Sequence, residues 1–244
     1  MSLARKHFEK VTAEISAGAS KEKGQNRVHG STTDQMLARL RAHEVILKSI
    51  QSRNQKIIKK REFLPEYEGY VDGILAAGTG LQDLVVTTVM VWRFDVGDLS
   101  GALQLASYVL EHDLQLPERF ARSAATLVLE EIADQVEQLQ PTGDLALTYI
   151  DAMNEAFALT DGTDMPDEVR SKAFKYLGYL LYDSNPELAL ENLKAAFDLN
   201  PKCGVKTKIG QLEKLLKPSQ EEPATASEPD PKQKPVPQPT KAKK

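Results

Sequence analysis

The chain has 244 residues, 41% hydrophobic and 6% aromatic, enough apolar content to bury a core and to exclude wholesale disorder. No apolar run approaches the roughly 20 residues that span a bilayer, the first residues lack the apolar stretch of a secretory leader, and Cys203 is the one cysteine, so no intrachain disulfide or cysteine-based zinc site can form. These features imply a soluble protein of a reducing compartment, with no membrane partner.

The formal net charge of −4 conceals an asymmetry. Residues 1–61 carry 14 Lys and Arg against 5 Asp and Glu, residues 62–216 carry 11 against 26, and residues 217–244 carry 6 against 4. A basic arm on an acidic body suits a protein whose one end meets a polyanion. The same arm could instead pair with the acidic body of its own or a neighbouring subunit.

Leu3 to about Ala17 reads as a short helix, with Leu3, Phe8, Val11 and Ile15 near one stripe. Gly18 to Gly30 holds three glycines and few apolar residues and reads as a flexible linker. Ser31 and Asp34 are spaced like a capping box, opening a helix that meets no Gly or Pro before about Glu62, a length of about 45 Å. Within it Met36, Leu40, His43, Leu47, Ile50, Asn54 and Ile57 alternate in steps of 4 and 3, a heptad seam. Met36, Leu40, Leu47, Ile50, Asn54 and Ile57 are therefore candidates for contacts between subunits, with an intramolecular hairpin as the alternative.

Pro65 ends or restarts the helix, and Glu66 to Ala77 forms another, stopped by Gly78 and Gly80. Paired helices follow: Leu81–Phe94 with Leu99–His112, Glu118–Gln138 with Leu145–Leu159, Glu168–Asp183 with Glu187–Leu199, and a last helix, Val205–Leu216. The third pair carries Leu177-Gly178, Tyr182, Ala189, Phe197 and Pro201 near tetratricopeptide positions, and the first pair superposes on it with Trp92 on Tyr179. After Pro218 the composition turns to Pro, Lys, Glu, Ser and Ala, which predicts disorder. The expected fold is all-α: a basic N-terminal helix and linker (1–30), a long basic helix (31–64), an acidic body of tetratricopeptide-like hairpins (65–216) and a disordered tail (217–244).

Catalytic signals are absent from this pattern. His7, His29, His43 and His112 lie far apart, and no phosphate-binding GxxxxGK[ST] loop occurs. The acids at Asp161, Asp164, Asp167 and Glu168, and those at Asp95 and Asp98, read as turn formers and helix caps more readily than as metal ligands. No catalytic residue, metal or cofactor is assigned. The basic cluster Arg53, Lys56, Lys59, Lys60 and Arg61, with Arg5, Lys6, Lys10, Lys21, Lys23 and Arg27 nearer the N-terminus, forms the candidate phosphate-binding set.

A set of segments resembles a known family. Asp34-Gln35-Met36-Leu37, Leu40, Leu47-Lys48-Ser49-Ile50, Lys60-Arg61-Glu62-x-Leu64-Pro65, Val71-x-Gly73-x-Leu75 and Gln82-Asp83 are similar to the small terminase subunit of temperate, contractile-tailed, cohesive-end bacteriophages. So are Thr88-Val89-Met90-x-Trp92-Arg93-x-Asp95-x-Gly97-Asp98, Gly101-Ala102-Leu103 and Met165-Pro166-Asp167-Glu168-Val169-Arg170. The match runs in one order over residues 1–216. It implies binding to double-stranded phage DNA at the packaging site of a concatemer, in the host bacterial cytoplasm. It also implies delivery of that DNA to a large subunit with ATPase and nuclease domains, and assembly as a ring. Members are also labelled the endonuclease subunit of terminase, a label this reading gives to the whole enzyme. The alternatives are a helical scaffold that binds only protein, or a metal-dependent nuclease in its own right.

Overall fold

The computed structural model describes residues 2–217; the expectation of a disordered tail falls on residues outside these. Eleven α-helices and one short 3-10 turn (Leu64–Glu66) make up the described residues. They are α1 (Leu3–Glu22), α2 (Ser31–Ser49), α3 (Arg53–Phe63), α4 (Glu68–Ala77), α5 (Leu84–Val96) and α6 (Leu99–Glu111), then α7 (Ala124–Leu139), α8 (Gly143–Leu159), α9 (Asp167–Leu180), α10 (Pro186–Leu199) and α11 (Lys206–Leu216). The all-α expectation holds.

At the centre lies α5, whose Val85 to Trp92 run is buried on every side, as its near-continuous apolar sequence requires. Its N-terminus is capped by Asp83, whose Oδ1 accepts from Val85 N at 2.8 Å and Val86 N at 3.0 Å. Gly97 ends it at φ +79°, a conformation that disfavours any side chain. Asp98 then caps α6 by accepting from Gly101 N. The hairpins α5–α6, α7–α8 and α9–α10 stack in chain order, and α11 packs on α10. In α9–α10 the crossing is tight: a Cβ on Gly178 would lie 2.7 Å from Leu193 Cδ2. Leu177-Gly178 and Ala189 thus sit at the point of closest approach.

One hydrophobic core runs from Ala13 to Leu212 and draws on residues of the first three sequence segments. Three expectations for the N-terminal third are corrected. Residues 18–30 are not a flexible linker. α1 continues to Glu22, Val28 is buried, Val28 N donates to Gln82 O, and His29 N donates to Ser20 Oγ at 2.9 Å. The glycines suggested freedom, but one of them is a fitted cap. Gly30 precedes α2 at φ +145°, and a Cβ there would lie 2.9 Å from Ser16 Oγ. Ser31 and Asp34 form no capping box, because Gly30 is the cap and no side chain accepts there.

The long helix is also interrupted. α2 stops at Ser49, Ile50 is extended, and Ser52 caps α3 by accepting from Gln55 N. Neither Gly nor Pro causes the break. The serine offers an alternative acceptor, and the corner swings α3 alongside α5, where Lys60 meets Asp95 at 2.5 Å and Arg61 donates to Val96 O at 3.1 Å.

Candidate nucleic-acid interface

The N-terminal third is built on a close crossing of α1 and α4. α1 presents Glu9, Ala13, Ala17 and Ser20, and α4 receives them with Gly69 and Gly73, four residues apart on one face. A Cβ at Gly73 would stand 2.2 Å from Lys10 O and 2.8 Å from Ala13 Cβ, and one at Gly69 would stand 2.5 Å from Lys6 O. Small residues on both helices let the backbones approach, and dispersion contacts over that length replace bulky side chains. Lys6 then reaches Glu68 at 3.0 Å and Asp72 at 3.8 Å on α4, and the Glu68 hydrogen bond raises its pKa above the ordinary lysine value.

α2 is fixed from the inside. Met36, Leu40, His43 and Leu47 are buried in the chain's own core, whereas Ile50 and Ile57 are half-buried and Asn54 is exposed. The seam proposed for contacts between subunits is thus largely taken up internally, the alternative left open by its spacing. Its buried polar member joins an aromatic cluster. His43 stacks on Phe63 with ring centroids 3.7 Å apart, and its Nδ1 lies 2.8 Å from the Tyr67 hydroxyl. Trp92 closes the cluster edge-on to Tyr67.

Burial lowers the His43 pKa, against the carboxylate of Glu66 and with the help of Arg39. The unfolded chain therefore takes up a proton at higher pH than the folded one. Stability should fall as pH drops from about 6.5 toward the lowered folded value. The difference in melting temperature between the wild type and His43→Asn should then shrink from pH 7 to pH 5. A difference that stays constant over that range would remove His43 from the linkage.

The proposed phosphate-binding cations divide into two groups. Arg5 is bound to Glu9, Lys6 to α4, Lys59 to Glu62 and Lys60 to Asp95. Lys10, Lys21, Lys23, Arg27, Arg53, Lys56 and Arg61 have no carboxylate within ion-pair distance among the described residues, although Lys21 donates to Thr79 O and Arg61 to Val96 O. Arg53 lies in the field of Glu131, a carboxyl whose pKa burial raises. Two exposed cations outside the candidate set, Arg41 and Lys48 on α2, are also unpaired. Lys48, Arg53 and Lys56 flank the Ile50–Ser52 corner, where the N-terminal dipole of α3 adds a further preference for an anion. The corner was hidden from the sequence because an unbroken helix places these side chains on different faces.

Two of the acids weighed as metal ligands, Asp95 and Asp98, are engaged elsewhere. Asp95 pairs with Lys60, and Asp98 caps α6 and accepts from Arg93 Nη1 at 2.8 Å. Among the described residues no group of three or more His, Cys, Asp or Glu is arranged to hold a metal ion. No described helix is long and apolar enough to cross a membrane.

Two of the segments that carried the family resemblance, Lys60–Pro65 and Thr88–Asp98, meet in space. Lys60 and Arg61 meet Asp95 and Val96, and Arg61, Pro65, Glu68, Arg93, Gly97 and Asp98 line one hollow of about 320 Å³. Comparison with known proteins agrees. The chain is 38% identical over 219 residues to the terminase, endonuclease subunit, of Escherichia phage P2, covering 89% of this chain and 87% of that protein. It is 25% identical over 179 residues to the probable terminase, endonuclease subunit, of Haemophilus phage HP1, covering 67% and 63%. No solved structure matches it. The model of the phage small terminase subunit matches residues 37–168. The chain belongs to the phage small terminase subunit family.

Proposed function

We propose that this chain binds the packaging site of concatemeric double-stranded phage DNA through its basic N-terminal third and delivers it to a large subunit for cutting and packaging. It does so as a homo-oligomer in the host bacterial cytoplasm. The observation that carries this reading is the concentration of exposed, unpaired cations on α1, α2 and α3 beside a strongly acidic body. Such side chains neutralise phosphates and release counterions, giving affinity that falls with salt and depends little on sequence. Recognition of one site then rests on repetition of the contact in a multimer or on DNA bending.

Both relatives are named as an endonuclease subunit of terminase. In our reading cleavage belongs to the complex with the large subunit. Incubating this chain alone with duplex and magnesium should leave the DNA intact, and nicking at the packaging site would overturn that assignment.

The binding surface is tested by Lys48→Glu, Arg53→Gln and Lys56→Glu together, glutamine being used at Arg53 so that no new acid faces Glu131. These residues hold no ion pair, so the fold should survive. Binding should weaken on every duplex, and the plot of log affinity against log salt should become shallower by about 2 to 3 per subunit. Lys59, Lys60 and Arg61 are poorer targets, because reversing Lys60 sets two acids against each other at Asp95. A pure protein scaffold, with its arm serving only the internal pairs of Lys6, Lys59 and Lys60, would show neither binding nor a salt slope.

A further inference from the structure

A hollow of about 940 Å³ opens between the α7–α8 turn, the end of α9 and the start of α11. Tyr176, Tyr179 and Tyr182 recur at every third position along α9 and just past it, and Pro141, Leu147 and Ile150 complete an apolar lining. Leu147 is 56% exposed, so nothing in the described residues covers it. Two of the three hydroxyls are taken, Tyr176 donating to Glu137 and Tyr182 to Gln211 Oε1 at 3.1 Å. The Tyr179 hydroxyl has no partner among the described residues, and burial raises its pKa above the ordinary tyrosine value, so it stands as a protonated donor. The rim is mixed in sign. Asp144 and Asp183 are exposed and carry no ion pair among the described residues, Glu137 holds Lys172, and Lys208 lies over the Tyr182 ring at 4.2 Å. Aromatic walls with a free hydroxyl suit a proline run, whose rings pack between aromatic rings and whose carbonyls, unused within the run, accept from the wall.

We propose that this hollow takes the chain's own segment Lys234-Pro-Val-Pro-Gln-Pro-Thr-Lys241, which lies outside the described residues. Composition selects it first. Prolines stand at 235, 237 and 239, the one place in the sequence where three alternate, and their rings preset φ and so reduce the entropy lost on docking. The tether selects it next. Lys208 lines the hollow, and α11 ends at Leu216, about 12 Å further along the helix. Residues 217–233 can span up to about 55 Å from there, so the segment reaches the hollow of its own chain. A link of that length holds it at a local concentration on the order of millimolar, and modest contacts then suffice. Charge agrees at the scale of the body rather than of the rim. Residues 231–244 hold five lysines and no acid, and residues 62–216 hold 26 acids against 11 bases. The composition that sets residues 217–244 apart from a packed core is the composition that a tyrosine groove accepts. This inference goes beyond the DNA reading and does not depend on it.

The test puts the photoreactive residue p-benzoylphenylalanine in place of Leu147 in the full chain, an exposed position where the fold should persist. Cross-links are mapped by mass spectrometry in an equal mixture of light and nitrogen-15-labelled chains. They should join position 147 to residues 231–241 of the same chain. Adding Pro235→Ser, Pro237→Ser and Pro239→Ser should lower their yield at least fivefold, with circular dichroism unchanged. The same three substitutions in an otherwise wild-type chain should speed hydrogen exchange at residues 143–150 and 179–184, which the docked segment covers. Cross-links that join light to heavy chains would give the hollow to a second copy and overturn the proposal. Cross-links that miss residues 231–241 altogether would give it to another occupant and overturn it equally. So would a yield that the three serines leave unchanged, since nearness would then need no proline.

Discussion

Gly73→Ala should separate α1 from α4 and destabilise the protein by about 3 kcal/mol, lowering the melting temperature by about 9 °C for a chain of this size. The added methyl carbon would stand 2.2 Å from the carbonyl oxygen of Lys10 and 2.8 Å from Ala13 Cβ. The first of these is backbone, so no rotamer change relieves it. The helix must move, and with it the burial of Ala13 and Ala17. Alanine favours a helix over glycine by about 1 kcal/mol, which offsets part of the cost. Gly18→Ala in α1 is the control, because nothing lies within 4 Å of its added carbon. It should leave the melting temperature unchanged or slightly raised. Proteolysis near Lys21 and Lys23 should accelerate in Gly73→Ala and not in Gly18→Ala. Calorimetric transitions within 2 °C of each other for Gly73→Ala and the wild type would show that α1 does not depend on this crossing.

The second large effect is expected at Asp83, 3% exposed at the start of α5. Its carboxylate accepts from two backbone amides and from the Tyr70 hydroxyl at 2.5 Å, which is itself within 3.2 Å of Thr33 Oγ1. Burial raises the Asp83 pKa, opposed by Tyr70 and the two amides, and burial likewise raises that of Tyr70. Asp83→Ala removes the cap of the central helix and strands three buried donors, at about 1 to 3 kcal/mol for each that finds no water. Release of a desolvated carboxylate returns part of this, leaving a net loss of about 3 kcal/mol. Asp83→Asn keeps an oxygen for the amides and should cost about 1 kcal/mol. Equal losses for the two substitutions, measured by urea unfolding, would mean that packing rather than hydrogen bonding makes Asp83 matter.

Much of the architecture was legible because its punctuation is local. Gly78 and Gly97 stop helices, Asp98 caps the next, and Asn185-Pro186 opens α10, each where side-chain chemistry alone places it. The N-terminal third resisted for two physical reasons. A stripe of Phe8, Val11 and Ile15 suggests the packed face of α1, yet the fold uses Ala13 and Ala17, because glycines on a helix 60 residues away allow closer contact than large side chains would. That information is not local. The break at Ile50–Ser52 carries only a serine as its signal, against a heptad pattern that continues across it. The charge asymmetry survives in the structure, but only part of it remains free. Lys6, Lys59 and Lys60 are tied to neighbouring carboxylates, and the exposed Lys48 at the corner takes their place beside Arg53 and Lys56.

Hydrogen exchange of the full chain with and without a cohesive-end duplex, at salt low enough for retention, tests the central claim most directly. Bound DNA should slow exchange at the α2–α3 corner and along the exposed edge of α1 to Arg27, and should leave α7 to α10 unchanged. Protection confined to α7–α11, with the corner exchanging as in the free protein, would place the nucleic acid on the acidic body and contradict the account.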